Sequence, residues 1–209
     1  MSFSYPIALD LAGRAVVVIG GGAVAQRKVE GLGAAGARVT VIAPELTSAL
    51  GDLVRAQAFV HVPREYRDGD LEGQDLAFVA VGDPAVGDAV VDEARRRRVW
   101  VNAADDPARC DFVLPSILRR GALIVAVTTS GTCPALARAV RERVADVVTE
   151  EYGELAAVVA DVRRELRQQG ASPEAEVWRG AIDDELPRLI REGRPADARR
   201  RLRERLGAT

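Results

Sequence analysis

Ala15-Val16-Val17-Val18-Ile19-Gly20-Gly21-Gly22-Ala23-Val24-Ala25-Gln26-Arg27-Lys28 decides the fold. The β-branched run Val16 to Ile19 reads as a buried strand. Three glycines follow, and then a segment with helical character. Gly20-Gly21-Gly22-Ala23-Val24-Ala25 matches G-x-G-x-x-A, a permitted form of the dinucleotide-binding fingerprint. One glycine allows the tight turn, and another lets the backbone approach a pyrophosphate. Ala25 keeps the helix close to the strand. The helix start then aims free N–H groups and a positive dipole end at the phosphates. A glycine-rich strand-to-helix turn without a ligand is the alternative, and the flanking strand and helix favour the fingerprint.

Outward from this stretch the chain alternates. Residues 24–35 read as a helix that Gly36 ends, and Arg38 to Ala43 as a second strand. Residues 46–56 read as a helix, 59–62 as a short strand, 75–81 as a strong strand, and 84–97 as a helix. Val99 to Val101 reads as a fifth strand. Alternation of this kind predicts a doubly wound parallel sheet, α/β in class. After a polar loop over 102–111 the pattern changes. Residues 112–118 and 122–127 read as two strands joined around Arg119-Arg120-Gly121. A hydroxyl-rich turn, Thr128 to Pro134, opens a helix with Leu136, Val140, Val144 and Val147 on one face. The rest reads as helical: a stripe from Leu155 to Leu166, then a helix through Trp178 and Ile190 disturbed at Pro187, then a basic stretch from Arg194 to Leu206.

Composition narrows the function. The 209 residues suffice for one large or two modest domains. A formal net charge of −2 gives no general pull towards nucleic acid. Cys110 and Cys133 are far apart and form no C-x-x-C pair, so a reducing compartment is expected. The start of the chain lacks the pattern of a signal peptide, and no apolar run approaches the roughly 20 residues of a membrane span. A cytoplasmic protein is the expectation. The single histidine, His61, excludes a multi-histidine metal site and reads as structural, away from the other clusters.

Three further stretches carry candidate chemistry. An acid usually ends the second strand of a dinucleotide site and holds the ribose hydroxyls. Here Ala43 stands at that place, followed by Pro44 and Glu45. Glu45 reads equally as a ribose ligand or as the first-turn acid of the next helix. Without an arginine nearby, NAD is preferred over NADP. Asn102-Ala103-Ala104-Asp105-Asp106-Pro107 follows the fifth strand at the edge where ligands bind. One of the two acids can act as a general acid or base, while Asp and Pro are also ordinary turn punctuation. The turn from Thr128 to Pro134 suits an anion or simple N-capping by Ser130 or Thr132. Arg119, Arg120, Arg138 and Arg141 would attract carboxylates there, or form a solvated face.

The Gly20-Gly21-Gly22 run through Lys28, the Val101-Asn102-Ala103-Ala104-Asp105 loop, Leu114-Pro115-Ser116 and Thr132-Cys133-Pro134-Ala135-Leu136-Ala137-Arg138 occur in that order. Together they closely resemble the precorrin-2 dehydrogenase family, the dehydrogenase and ferrochelatase part of siroheme synthases. The resemblance is firm from about Leu11 to Arg143 and rests on helical pattern beyond. It implies a Rossmann-like domain over 1–113, a small dimerisation segment over 114–150, and a helical domain over 151–209. It further implies oxidation of precorrin-2, a tetrapyrrole, to sirohydrochlorin with NAD as hydride acceptor, by a homodimer. Some members also insert ferrous iron.

By this resemblance the catalytic aspartate falls on Asp105. Family coenzyme contacts fall on Ala23, Val24, Pro44 and Glu45, and Gly20, Gly21, Gly22, Ala43 and Asn102 complete the expected coenzyme site. Substrate carboxylates are assigned to Arg119, Arg120, Thr129, Ser130, Arg138 and Arg141. No resident metal is implied. A serine that is phosphorylated in some relatives falls on Thr129, so that regulation is not carried over. Fused siroheme synthases add a methyltransferase domain that these 209 residues do not hold, so methylation is not expected of them. The rival reading is a non-enzymatic NAD-sensing module with a helical dimerisation tail.

Overall fold

The computed structural model describes residues 5–104 and 107–207. The chain divides into two compact units, Met1–Val113 and Leu114–Thr209.

Unit 1 is a five-stranded parallel sheet. In chain order its elements are β1 Ala15–Ile19, α1 Ala23–Ala34, β2 Arg38–Ile42, α2 Ser48–Ala56, β3 Val60–Val62, β4 Leu76–Val79, α3 Pro84–Arg97 and β5 Trp100–Ala103. The strand order is β3-β2-β1-β4-β5. The direction of winding therefore reverses between β1 and β4, which opens a crevice at their carboxyl ends. The strands are apolar because both faces of the sheet are covered. Val16, Val18, Val39, Val41, Leu76 and Phe78 pack against Ala25, Val29 and Leu32 of α1 and Leu50 and Val54 of α2. Val17, Ile19, Ala77, Val79, Val101 and Ala103 point the other way, onto Val90, Val91 and Ala94 of α3. Gly36, at φ 76, turns the chain out of α1, and the Ala37 N–H closes back on Leu32 O at 3.1 Å.

The long connection from β3 to β4 is held to α3 by a buried carboxylate. Glu93 is fully buried and accepts from Tyr66 Oη at 2.5 Å, Arg97 Nε at 2.5 Å and Gly69 N at 2.9 Å. Burial pushes this carboxyl up, but the hydrogen bonds outweigh it and hold Glu93 below the ordinary glutamate value. Burial, and then the Glu93 hydrogen bond, push the Tyr66 hydroxyl well above the usual phenol range. Arg64 grips Asp70 through both terminal nitrogens, at 2.7 and 2.6 Å, and holds that carboxyl low.

Unit 2 begins with an antiparallel pair, β6 Ser116–Arg120 and β7 Leu123–Val127, and continues with α4 Pro134–Ala145, α5 Glu151–Gln168, α6 Ala175–Ala181, α7 Glu185–Arg191 and α8 Pro195–Arg205. Its core is Leu155, Val162 and Leu166 of α5 against Leu186, Leu189, Ile190, Ala198 and Leu202. Basic α8 is anchored by its arginines: Arg201 lies 2.6 Å from Asp183, and Arg199 pairs with Glu165.

Several elements differ from the sequence reading. Asn102 and Ala103 belong to β5, since Asn102 pairs in register with Phe78 and Ala103 with Val79. The first hairpin strand starts at Ser116, after Pro115, while Phe112 packs edge-on against Phe78 in unit 1. The tail helix breaks between Ala181 and Glu185; Pro187 sits in the first turn of α7, where its missing N–H costs nothing. Leu136 and Val140 of α4, expected as a packed stripe, are exposed. No helix among the described residues is long and apolar enough to cross a membrane.

Candidate functional site

The three glycines do three different things. Gly20, at φ 125, carries no side chain because a Cβ would lie 2.3 Å from Ala80 O, across the switch between β1 and β4. A Cβ on Gly21 would lie 1.9 Å from Glu45 O. This glycine is where the turn after β1 meshes with the turn after β2, and Thr47 N donates to Gly21 O at 2.9 Å. Gly22 caps α1, and a Cβ there would meet nothing within 4 Å. The first-turn N–H groups of α1 have no intrahelical acceptors, and no acidic side chain stands in that turn. Open space over a bare helix start is a cradle for a phosphate group. The residues present therefore fit a dinucleotide.

The second-strand edge lies beside this turn. Ala43 is buried, and Pro44 and Glu45 are exposed. His61, expected to stand apart, does not: its Nε2 is 3.0 Å from Ala43 O. Sequence reading missed it because β3 is short and its register against β2 is set only in the sheet, where Val41 pairs with His61.

At the end of β5, Asn102 is almost fully buried and engaged at both ends. Lys28 Nζ donates to its Oδ1 at 2.9 Å, and its Nδ2 donates to Phe112 O at 2.9 Å. The Lys28 ammonium also lies 5.2 Å from the centre of the Phe78 ring. The chain leaves β5 and returns through a stitched neck. Cys110 Sγ lies 3.2 Å from both N and O of Ala103, and Asp111 Oδ2 accepts from Val101 N at 2.9 Å while Asp111 N donates to Val101 O. Asp105 and Asp106, within this loop, lie outside the described residues. The sequence alone gives Lys28 no role. Its position on the inward side of α1 was the available signal.

In unit 2, Thr129 Oγ1 accepts from Cys133 N at 3.0 Å, so Thr129, not Ser130 or Thr132, binds the N–H at the start of α4. Ser130 and Gly131 have positive φ, 52 and 82. Arg120 is committed internally, donating to Val148 O at 3.1 Å and pairing with Glu150 at 2.9 Å. Arg138 and Arg141 both reach Glu142, at 3.0 and 2.9 Å, and Arg119 is exposed. The candidate substrate residues thus fall in unit 2 and the candidate coenzyme residues in unit 1.

The fold is similar to that of the solved structure of SirC, precorrin-2 dehydrogenase, with a TM-score of 0.79. The match covers 96% of this chain and 100% of that one at 24% identity, a likeness of fold. Among curated proteins, the siroheme synthase of Photobacterium profundum is 38% identical over 199 residues, covering 94% of this chain and 42% of the relative. That of Methylobacillus flagellatus is 36% identical, covering 87% of this chain and 40% of the relative. The chain spans about two fifths of the length of these relatives. The family model described as putative NAD(P)-binding matches residues 7–116, more than half of the chain, and contains the whole glycine turn, the β2 edge and the β5 loop. The chain belongs to this NAD(P)-binding family.

Proposed function

We propose that this chain is a precorrin-2 dehydrogenase, oxidising precorrin-2 to sirohydrochlorin with NAD as hydride acceptor. The observation that carries the reading is the open cradle over Gly22, set at the switch of a Rossmann sheet in a chain that aligns over 94% of its length with a siroheme synthase. NAD, when bound, accepts a hydride from a ring carbon of the substrate. The residues of this chain do the rest. Backbone N–H groups of α1 hold the pyrophosphate, and Ala43, Pro44 and Glu45 hold the adenosine ribose. Exposed Glu45, which would repel a 2′-phosphate, and the commitment of Arg64 to Asp70 support NAD over NADP. Lys28 and Asn102 brace the root of the loop that carries Asp105. Asp105 accepts the proton that leaves as the hydride departs. The substrate is rich in carboxylates, and Arg119, Arg138, Arg141, Thr129 and Ser130 are assigned to them, with Arg120 shaping the hairpin beneath. Insertion of ferrous iron, as substrate, into the product is the finer part of this reading.

Anaerobic conversion of precorrin-2 with NAD and with NADP tests it. Turnover with NAD, and little with NADP, is expected. Coenzyme binding without turnover would leave the sensing module instead. Asp105→Asn keeps size and removes the base, so turnover should fall about 10²-fold or more with coenzyme binding little changed. Asp106→Asn should cost less than about tenfold, the scale of one hydrogen bond. Near-normal turnover in Asp105→Asn, or greater damage in Asp106→Asn, would reassign the proton.

The reading includes a homodimer built on unit 2, with 114–150 as the pairing segment and 151–209 as a helical domain. One face of the β6–β7 pair exposes Ile117 at 45% and Ile124 at 49%, more apolar surface than a solvated hairpin normally shows. Ile124→Asp should convert a dimer to a monomer in sedimentation velocity at micromolar concentration. A wild-type monomer, or a dimer unaffected by the change, would remove that interface.

A further inference from the structure

The parallel ladder between β2 and β3 stops one bond early. Ala43 N donates to Val62 O at 3.2 Å, and in a continuing ladder Ala43 O would accept from Arg64 N. Pro63 intervenes, and Arg64 N instead turns back onto Val62 O at 2.9 Å. The Ala43 carbonyl is taken by the His61 imidazole, whose Nε2 lies 3.0 Å away. This carbonyl heads the turn Ala43-Pro44-Glu45. Pro44 has no N–H to hold that turn by a backbone bond of its own. The turn must nevertheless be placed closely, because Glu45 O fills the space that a Cβ on Gly21 would need. A displacement of Ala43 O is therefore passed through Pro44 and Glu45 to the glycine turn.

We propose that His61 is a positioning residue for the adenosine half of the coenzyme. Its Nε2–H completes the unfinished ladder at Ala43 and fixes the ribose-holding turn against Gly21. The bond needs a proton on Nε2, which both the matching neutral tautomer and the imidazolium supply. The proposal rests on the placement of the ribose at Ala43–Glu45 made above, but not on the identity of the second substrate. His61 makes no contact with the substrate's reacting atoms in this scheme, so its effect is on affinity and not on the chemical step.

The test uses the full chain and ADP-ribose, the coenzyme without its nicotinamide. In calorimetry at a temperature where each variant is folded, His61→Ala should weaken ADP-ribose at least fivefold. His61→Gln, whose amide reaches as far and donates, should return affinity to within about twofold of wild type. As the single histidine, His61 also gives one set of imidazole nitrogen resonances. They should report a protonated Nε2 and shift on saturation with ADP-ribose, a measurement that needs no variant to fold. Unchanged affinity in a folded His61→Ala, failure of His61→Gln to restore it, or unmoved imidazole resonances would overturn the proposal. Failure of the wild-type chain to bind ADP-ribose would remove the ribose placement and this inference together. Wild-type binding with an indifferent His61 would remove the inference alone.

Discussion

Gly22→Asp should abolish dinucleotide binding and leave the chain folded. The space a new Cβ would occupy is empty to 4 Å, so the backbone need not move. Gly22 is also the N-cap of α1, where Asp is among the preferred residues. The introduced carboxylate would accept from the same first-turn N–H groups that a pyrophosphate needs, and it would repel that anion. Like-charge contact of this kind costs several kcal/mol, which is roughly a thousandfold in affinity. The expected result in calorimetry with NAD is no measurable binding, with an unfolding midpoint equal to wild type or slightly higher. Gly21→Ala makes the control. Its Cβ would sit 1.9 Å from Glu45 O, so that variant should lose stability as well as binding. Retained affinity in Gly22→Asp would remove the cradle from the phosphate.

The largest stability effect is expected at Glu93. Glu93→Ala removes the acceptor shared by the Tyr66 hydroxyl, the Arg97 guanidinium and the N–H groups of Gly69 and Leu71, and leaves a void. Breaking a buried charged network on one side costs about 3–5 kcal/mol. Urea unfolding should show a lower midpoint with little change in slope. Glu93→Gln keeps the volume and part of the hydrogen bonding and should cost clearly less. The carboxyl also sets a pH dependence. Its folded value lies below the ordinary 4.5, so the folded state holds its proton less tightly than the unfolded chain. The contribution is complete above about pH 4.5 and is lost as pH falls through the lower, folded value. Acid unfolding of Glu93→Gln should therefore be less steep in that range than that of wild type. Equal steepness would locate the acid sensitivity elsewhere.

The parallel sheet was legible because each strand is an apolar run bounded by glycine, proline or charge, and because the glycine motif has one structural context. Helix α3 was legible to its ends, with Asp83 and Pro84 at its start and the arginine run at its close. Strand β5 was read too short. Asn102 looks like a loop residue until its partners, Lys28 from 74 residues away and the Phe112 carbonyl, are in place. Pro187 misled for a related reason: proline marks a break in the middle of a helix but not in its first turn. The strand-to-helix turn was visible in the glycines alone. The contact of His61 with Ala43 O was not, since it depends on where a ladder ends, and that follows from the register of two strands and the turn after Pro63. Arg120 is a basic residue whose contacts with Val148 O and Glu150 were not legible in the sequence.

The stitched neck at the end of β5 has a consequence for how this protein can change over time. Val101 and Ala103 on the outgoing side are tied to Asp111 and Cys110 on the returning side, so the loop's ends meet whatever lies between them. With closure fixed at the base, doubling the length of the intervening stretch costs only about 0.6 kcal/mol of loop entropy. Residues inserted after Ala104 would therefore weigh little on folding, which makes this a place where a lineage can vary its sequence at small risk.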